Sequence, residues 1–247
     1  MKIFFVKNFF TETEKSQIEK TMSKYTPFSK EEIAKFKQGC VDNSGWKQIY
    51  RTDDVMVFTQ KTEGSVLKFK CITKQMNTLE PEYIFSAYCD REYCKTTKTN
   101  DVLFDVVEKL DCCNEIIHRV QKMPMMDARD FVYQLIRYHN KDKTDYILYS
   151  KSVDSDIPPV KGSIRGQMFV QGTLITKIST GTLIYSLSHI DMNGKIPSAL
   201  TGDTMVKQMT KKMMKRAKKN VDGYQKWADE HKDTNKWWLE TLDWMME

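Results

Sequence analysis

Residues 201–224 read TGDTMVKQMTKKMMKRAKKNVDGY, and their spacing decides the class of fold. Met205, Met209, Met213, Ala217, Val221 and Tyr224 recur at intervals of four and then three, with Val206 and Met214 widening the stripe. That period is one apolar face of a long amphipathic helix, starting near Gly202-Asp203 and stopping near Gly223. The opposite face carries Lys207, Lys211, Lys212, Lys215, Arg216, Lys218 and Lys219, opposed only by Asp203 and Asp222. Seven bases against two acids supply +5 of the chain's net +6, so the remainder is close to neutral. Such a helix either packs on a core with solvated lysines outside or rests on an anionic membrane, at about 1 kcal/mol per basic residue. Nucleic acid is disfavoured, because no aromatic is interleaved with the bases.

Upstream of this helix the chain is a run of strands. The stretches 102–109, 115–122, 130–139, 145–153, 163–178 and 182–191 carry β character, separated by turn material at 123–126, 140–143 and 157–162. Short links imply antiparallel pairing, and strands followed by one long helix make an α+β fold. Leu67, Phe69 and Cys71 alternate with Lys68 and Lys70, which predicts an earlier strand with one wet face. Residues 79–89 read as a helix with Pro81 in its first turn. Two capping boxes, Thr11 with Glu14 and Ser29 with Glu32, open helices nearer the N-terminus, and Gly39 is expected to end the second.

Two strand faces mix chemistries. Arg165, Gln167, Phe169, Gln171 and Thr173 share one face, and Phe131, Tyr133, Leu135 and Arg137 share another. A dry core excludes such a mixture unless every polar group is paired. Two readings stay open: the wall of a cavity that meets both polar and apolar parts of a ligand, or a partly exposed outer surface.

Composition narrows the rest. With 247 residues, 40% hydrophobic and 29% charged, the chain is globular, and no apolar run approaches the ~20 residues of a membrane span. The opening Met1–Val6 is cut short by Lys7 without a small-residue cleavage site, so no secretory signal is expected. Six cysteines include one adjacent pair, Cys112-Cys113, and no metal-ligand spacing. Free, buried thiols in a reducing cytosol are the expectation, with no metal and no cofactor. No GxSxG, Gly-rich phosphate loop or HExxH occurs, and His118, His139, His189 and His231 are scattered, so no catalytic residue is assigned.

Three strings resemble the START domain, the StAR-related lipid-transfer module, over about residues 40–224. They are Gly45-Trp46, Asp127-Ala128-Arg129-Asp130-Phe131-Val132-Tyr133, and Ser188-His189-Ile190-Asp191 followed by Gly194-Lys195-Ile196-Pro197. The resemblance implies a helix-grip fold: a curved antiparallel sheet wrapped around a long C-terminal helix, with an internal hydrophobic tunnel. It implies a cytoplasmic, peripherally membrane-associated lipid carrier that holds one lipid, a phospholipid, and moves it between membranes. The alternative is an enzyme or ligand sensor of the wider helix-grip group acting on a buried hydrophobic molecule, with His118 or Arg137 beside a carboxylate as its working groups. Carried over by position, His118, Phe131, Phe169 and Gln171 contact the lipid, and Tyr133 and Arg165 of the two mixed faces join them as lipid-binding candidates. Met123, Met125 and Met126 form a gate loop, Met205, Met209 and Met213 line a lid helix, and Lys211, Lys212, Lys215 and Arg216 face the membrane. The phosphate-binding charge pair of the phosphatidylcholine-transfer group is replaced here by Cys94 and Lys98, leaving Lys95, Lys98 or Arg165 to meet an anionic headgroup.

Domain boundaries follow: N-terminal helices over 1–40 that belong to the same domain, the lipid-binding domain over 41–224, and a Trp-rich extension over 225–247. The extension holds Trp227, Trp237, Trp238 and Trp244 with Leu239, Leu242, Met245 and Met246. Trp favours membrane interfaces, but Glu240, Asp243 and Glu247 oppose anionic lipid. Packing back onto the domain, or onto a protein partner, is expected instead.

Overall fold

Nine segments paired antiparallel, with a short tenth strand at their side, build one sheet, and its curvature creates an inside and an outside. The computed structural model describes residues 23–246 except 64–65, 98–99, 124, 197–201 and 233–234. The capping box at Thr11 and the position of Lys98 lie outside the described residues. Helix α1 (Lys30–Val41) leads into β1 (Lys47–Arg51), β2 (Val55–Thr59) and β3 (Val66–Thr73). Helices α2 (Pro81–Cys89) and α3 (Arg91–Thr97) follow, then β4 (Asp101–Lys109), β5 (Asn114–Met123), β6 (Met126–His139), β7 (Asp145–Ser152), β8 (Ser163–Arg165), β9 (Gln167–Ile178) and β10 (Gly181–Asp191). Helix α4 (Asp203–Glu230) and two 3₁₀ turns, Trp237–Leu239 and Asp243–Met245, complete the chain.

The strand order is β1-β2-β3-β10-β9-β7-β6-β5-β4, with β8 lying parallel to β6. The sheet is curved and open, and α4 lies in its hollow, which is the helix-grip arrangement. Val206, Met209 and Met214 of α4 pack on Val55, Val57, Phe69 and Cys71. Farther along, Val221 and Tyr224 join Ile84, Phe85, Tyr146, Ile175 and Ile184. The outer face has its own core, where α1 sets Ile33, Phe36 and Cys40 on Ile136, Ile147, Leu174 and Leu187. At Gly172 a Cβ would sit 2.6 Å from the Phe36 ring, so this glycine allows α1 to reach the sheet.

Several local expectations change. The Ser29 hydroxyl accepts the Glu32 N–H at 3.3 Å and the Glu32 carboxylate accepts the Ser29 N–H at 3.1 Å, so the capping box forms. Gly39 does not end α1; the helix runs on to Val41, closed by the Asp42 N–H donating to the Gln38 carbonyl at 2.9 Å. Gly223 does not end α4 either. It permits a close approach, since a Cβ there would lie 2.8 Å from the Tyr93 hydroxyl. Around it Tyr83 donates to the Val221 carbonyl at 3.0 Å, and Tyr224 and Trp227 donate to Asp90 at 3.3 and 3.2 Å. The buried stripe of α4 runs through Val206, Thr210, Met214, Val221 and Tyr224, leaving Met213 39% exposed.

Lys70 was expected on a wet face and is fully buried. Its ammonium donates to the carbonyls of Gly39 (3.3 Å) and Asp42 (2.5 Å) at the end of α1, and lies 4.7 Å from the centre of the Trp46 ring. A cation at a helix C-terminus satisfies carbonyls that have no partner within the helix. Burial lowers its pKa from the ordinary lysine value.

The tail folds back on the domain and passes around the end of β6. On the inner side Trp238 is buried and donates to the Ser86 hydroxyl at 3.0 Å. On the outer side Met245 is buried beside Cys113, and Trp244 stacks on Tyr138 at 5.9 Å. All six cysteines are free thiols.

Candidate functional site: a cavity on the concave face

Where α4 does not cover the hollow of the sheet, a cavity of about 480 Å³ lies under α2, α3 and the tail. Tyr133, Leu135 and Arg137 of β6, Leu148 and Ser150 of β7, and Gln171 and Thr173 of β9 form its floor. Alternation along antiparallel neighbours brings these residues onto one face. The mixed face of β6 is therefore cavity wall from residue 133 onward. Phe131 is buried beside the wall with Ile117, Met168 and Met192.

The second mixed face is split. A Cβ at Gly166 would lie 2.3 Å from the Phe131 ring, and the chain breaks there into β8 and β9. At the next step Val170 pairs with His189 and Met168 with Ile190, so Phe169 is the extra residue of a bulge. Its ring rests on His189, 4.6 Å between centroids, and it is absent from the cavity wall. Gln171 and Thr173 keep the cavity face.

His118 and Arg165 also lie away from the cavity. Both meet Asp130, whose carboxylate is fully buried: His118 Nε2 is 3.0 Å away, Arg165 Nε donates at 2.7 Å, and the Val160 N–H donates at 2.9 Å. Burial pushes this carboxyl up, but the three partners outweigh it and its pKa falls below the ordinary range. Arg165 Nη2 also holds the Ile157 carbonyl at 2.9 Å, so the cluster pins the segment before β8. Arg129, one residue earlier, donates to the carbonyls of Met192 and Asn193 at 2.6 and 3.1 Å and ties β6 to the end of β10. In this way two of the three sequence strings are stitched together structurally.

The other expected positions are distributed as follows. Met123 and Met126 pair across the β5–β6 hairpin, with Met125 at its tip, 73% exposed and at φ +63°. Met209 packs in the α4 core, and neither it nor Met213 lines this cavity. Lys211, Lys212, Lys215 and Arg216 are exposed, with the Lys211 ammonium 4.5 Å from the centre of the Tyr50 ring. Lys95 stands at the cavity rim and pairs with Glu92 at 2.6 Å.

Three charged wall residues, Arg91, Asp101 and Arg119, and Trp237 carry no site assignment from the sequence. Arg119 forks onto Asp101 with Nε–Oδ1 3.0 Å and Nη2–Oδ2 3.0 Å, and Gln121 adds a donor to the same carboxylate at 2.9 Å. Burial works against the Arg119 charge, but Tyr133 and Asp101 outweigh it and raise its pKa. Burial likewise raises the pKa of Tyr133. Arg91 and Arg137 share the buried Glu115, and Trp237 lies against both guanidinium groups. Among the described residues, Asp111, Cys112 and Cys113 bring potential metal ligands within 4.8 Å. Asp111 Oδ1 already accepts the N–H groups of Cys113 and Asn114, both at 2.7 Å, and the Cys113 thiol donates to the Glu240 carbonyl at 3.1 Å.

The START domain family model matches residues 28–228, from the start of α1 to the last turns of α4. The chain belongs to the START family. The match takes in α1, whose Ile33, Phe36 and Cys40 pack on the sheet. Human STARD10 superposes with a TM-score of 0.76 at 22% identity, over 87% of this chain and 88% of that one. Human StAR-related lipid transfer protein 5 gives 0.61 at 16% identity, over 85% and 96%. The lipid transfer and protein localization domain of human StarD13 gives 0.55 at 18%, over 79% and 96%. No curated protein matches in a sequence search. No helix among the described residues of this START domain is long and apolar enough to cross a membrane.

Proposed function

We propose that this START domain binds one lipid in the concave cavity and carries it between membranes. The observation that carries the reading is the cavity itself: Leu103, Phe104, Leu135 and Leu148 offer apolar wall, while Tyr133, Ser150, Gln171 and the Arg119–Asp101 pair offer polar groups. Burying a lipid chain there recovers about 0.8 kcal/mol per CH₂, close to what the chain had in the bilayer. The hydrophobic terms nearly cancel, so transfer is reversible and the polar wall sets selectivity.

A volume of about 480 Å³ lies within the range of about 300–1,000 Å³ usual for ligand pockets, with apolar wall for a chain and polar groups for a headgroup. The exposed bases of α4 are the surface that would meet an anionic membrane during exchange, and the exposed Met125 at the tip of the β5–β6 hairpin offers an apolar contact of its own.

The deciding experiment is native mass spectrometry of the purified chain with lipid analysis of its organic extract, followed by transfer of labelled lipid between vesicles. A discrete bound mass matching an extracted lipid, together with transfer above the protein-free rate, is expected. A bare protein that moves no lipid would overturn the reading.

A further inference from the structure

One end of the cavity holds more positive than negative charge. Arg137 of β6 donates Nη1 to Glu115 Oε2 at 2.7 Å, and Arg91 of α3 donates Nη2 to the same oxygen. The side chains of Glu115 and Arg137 are 1% and 3% exposed. Glu115 Oε1 and Arg137 Nε have no hydrogen-bond partner among the described residues. The other wall pair, Arg119 with Asp101, is balanced, so two guanidinium groups on one carboxylate leave a surplus of one positive charge.

Trp237 sets the geometry of that surplus. Its ring centre lies 4.6 Å from the Arg91 guanidinium carbon and 4.3 Å from that of Arg137. Both cations lie over this ring; Arg137 Nη2 also donates to the Cys112 carbonyl at 3.2 Å, which leaves its Nε, unpartnered among the described residues, and the remaining N–H groups of Arg91 as donors. A planar or tetrahedral oxyanion binds such donors with charge-assisted hydrogen bonds. A neutral hydroxyl would leave the buried charge uncompensated. A quaternary ammonium would find the nearby aromatic face already taken by two cations.

We infer that Arg91 and Arg137 receive the carboxylate or phosphate of the cargo, making this a carrier for an anionic lipid. The inference rests on the lipid-carrier reading and specifies its headgroup. Arg119 and Asp101 neutralise one another and serve the uncharged part of the ligand.

The test compares two probes with the same chain, oleate and oleyl alcohol, by displacement of a fluorescent fatty acid from the full chain. Oleate is expected to bind at least about tenfold more tightly. Arg91→Gln should bring the two affinities together by weakening oleate alone, and Arg91→Lys should keep most of the preference. Arg91 is part-exposed and its replacement leaves Arg137 on Glu115, so the variant is expected to fold, which circular dichroism checks. Equal binding of both probes by the parent chain would overturn the inference while leaving the carrier reading intact, as would an equal loss of both in Arg91→Gln. Failure of both probes to bind would remove the carrier reading and this inference with it. Millimolar inorganic phosphate should not displace oleate; displacement would assign the site to a free anion and overturn its role as a lipid subsite.

Discussion

Asp130 shows how a residue quoted in a family string earns its place. Its buried carboxylate is held by His118, Arg165 and the Val160 N–H, and through them it fixes the chain leading into β8. Removing one member of such a buried cluster leaves the others uncompensated, so Asp130→Asn should cost about 3–5 kcal/mol in urea unfolding. The sign of the pH effect follows from a folded-state pKa below the ordinary value. Its contribution is fully present above the unfolded carboxyl pKa of about 3.9 and is lost as pH falls through the folded value. Asp130→Asn should flatten that acid limb of the stability profile; an unchanged limb would mean other carboxylates dominate. His118 lies off the cavity wall for a reason visible only in three dimensions. Along β5, His118 pairs with Val132 and faces outward, while the adjacent Arg119 faces the cavity. A shift of one residue exchanges the faces of a strand.

At the scale of elements, periodicity was readable and register was not. The long helix as far as Tyr224, the antiparallel run from residue 102 onward and the Ser29 cap follow from spacing and local hydrogen bonding, whereas the last turns of the helix to Glu230 do not. The bulge at Phe169 comes from pairing with β10, and the Asp101–Arg119 fork from a hairpin with two register shifts, neither of which a single strand announces. The mixed face of β6 did carry a signal, because Tyr133, Leu135 and Arg137 do line one wall. For α4, replacing Lys211, Lys212, Lys215 and Arg216 with Gln should lower binding to anionic vesicles several-fold at low salt while leaving thermal stability nearly unchanged. Co-sedimentation measures it, and undiminished binding would exclude this face. For the tail, Trp238→Ala removes a large buried ring and leaves Ser86 without its donor, so a loss of about 3–5 kcal/mol is expected in the same urea assay. A loss under about 1 kcal/mol would mean that the tail is only loosely attached.

For the molecule as a whole, a cavity is a cost until it is filled, because its lining lacks contacts on one side. A ligand that binds only the folded state should therefore stabilise it by about 2.7 kcal/mol at a hundredfold excess over Kd. In a chain of this size that corresponds to a rise in Tm of roughly 5–11 °C. Thermal unfolding with and without oleate measures the effect, and an unchanged Tm under saturating conditions would argue that the ligand binds outside the folded interior.

The path of the tail also bears on how the chain is made. Trp238 completes the inner core around α2, and Met245 completes the outer core shared with α1. Residues near the two ends of the described chain thus meet in one cluster, with the sheet between them. During synthesis the early helices and strands leave the ribosome well before the segment that seals both layers. The sheet must wait with apolar surface uncovered, and closure of such distant contacts is slow. Until the tail has emerged and closed both layers, the domain keeps apolar surface of the kind that chaperones bind.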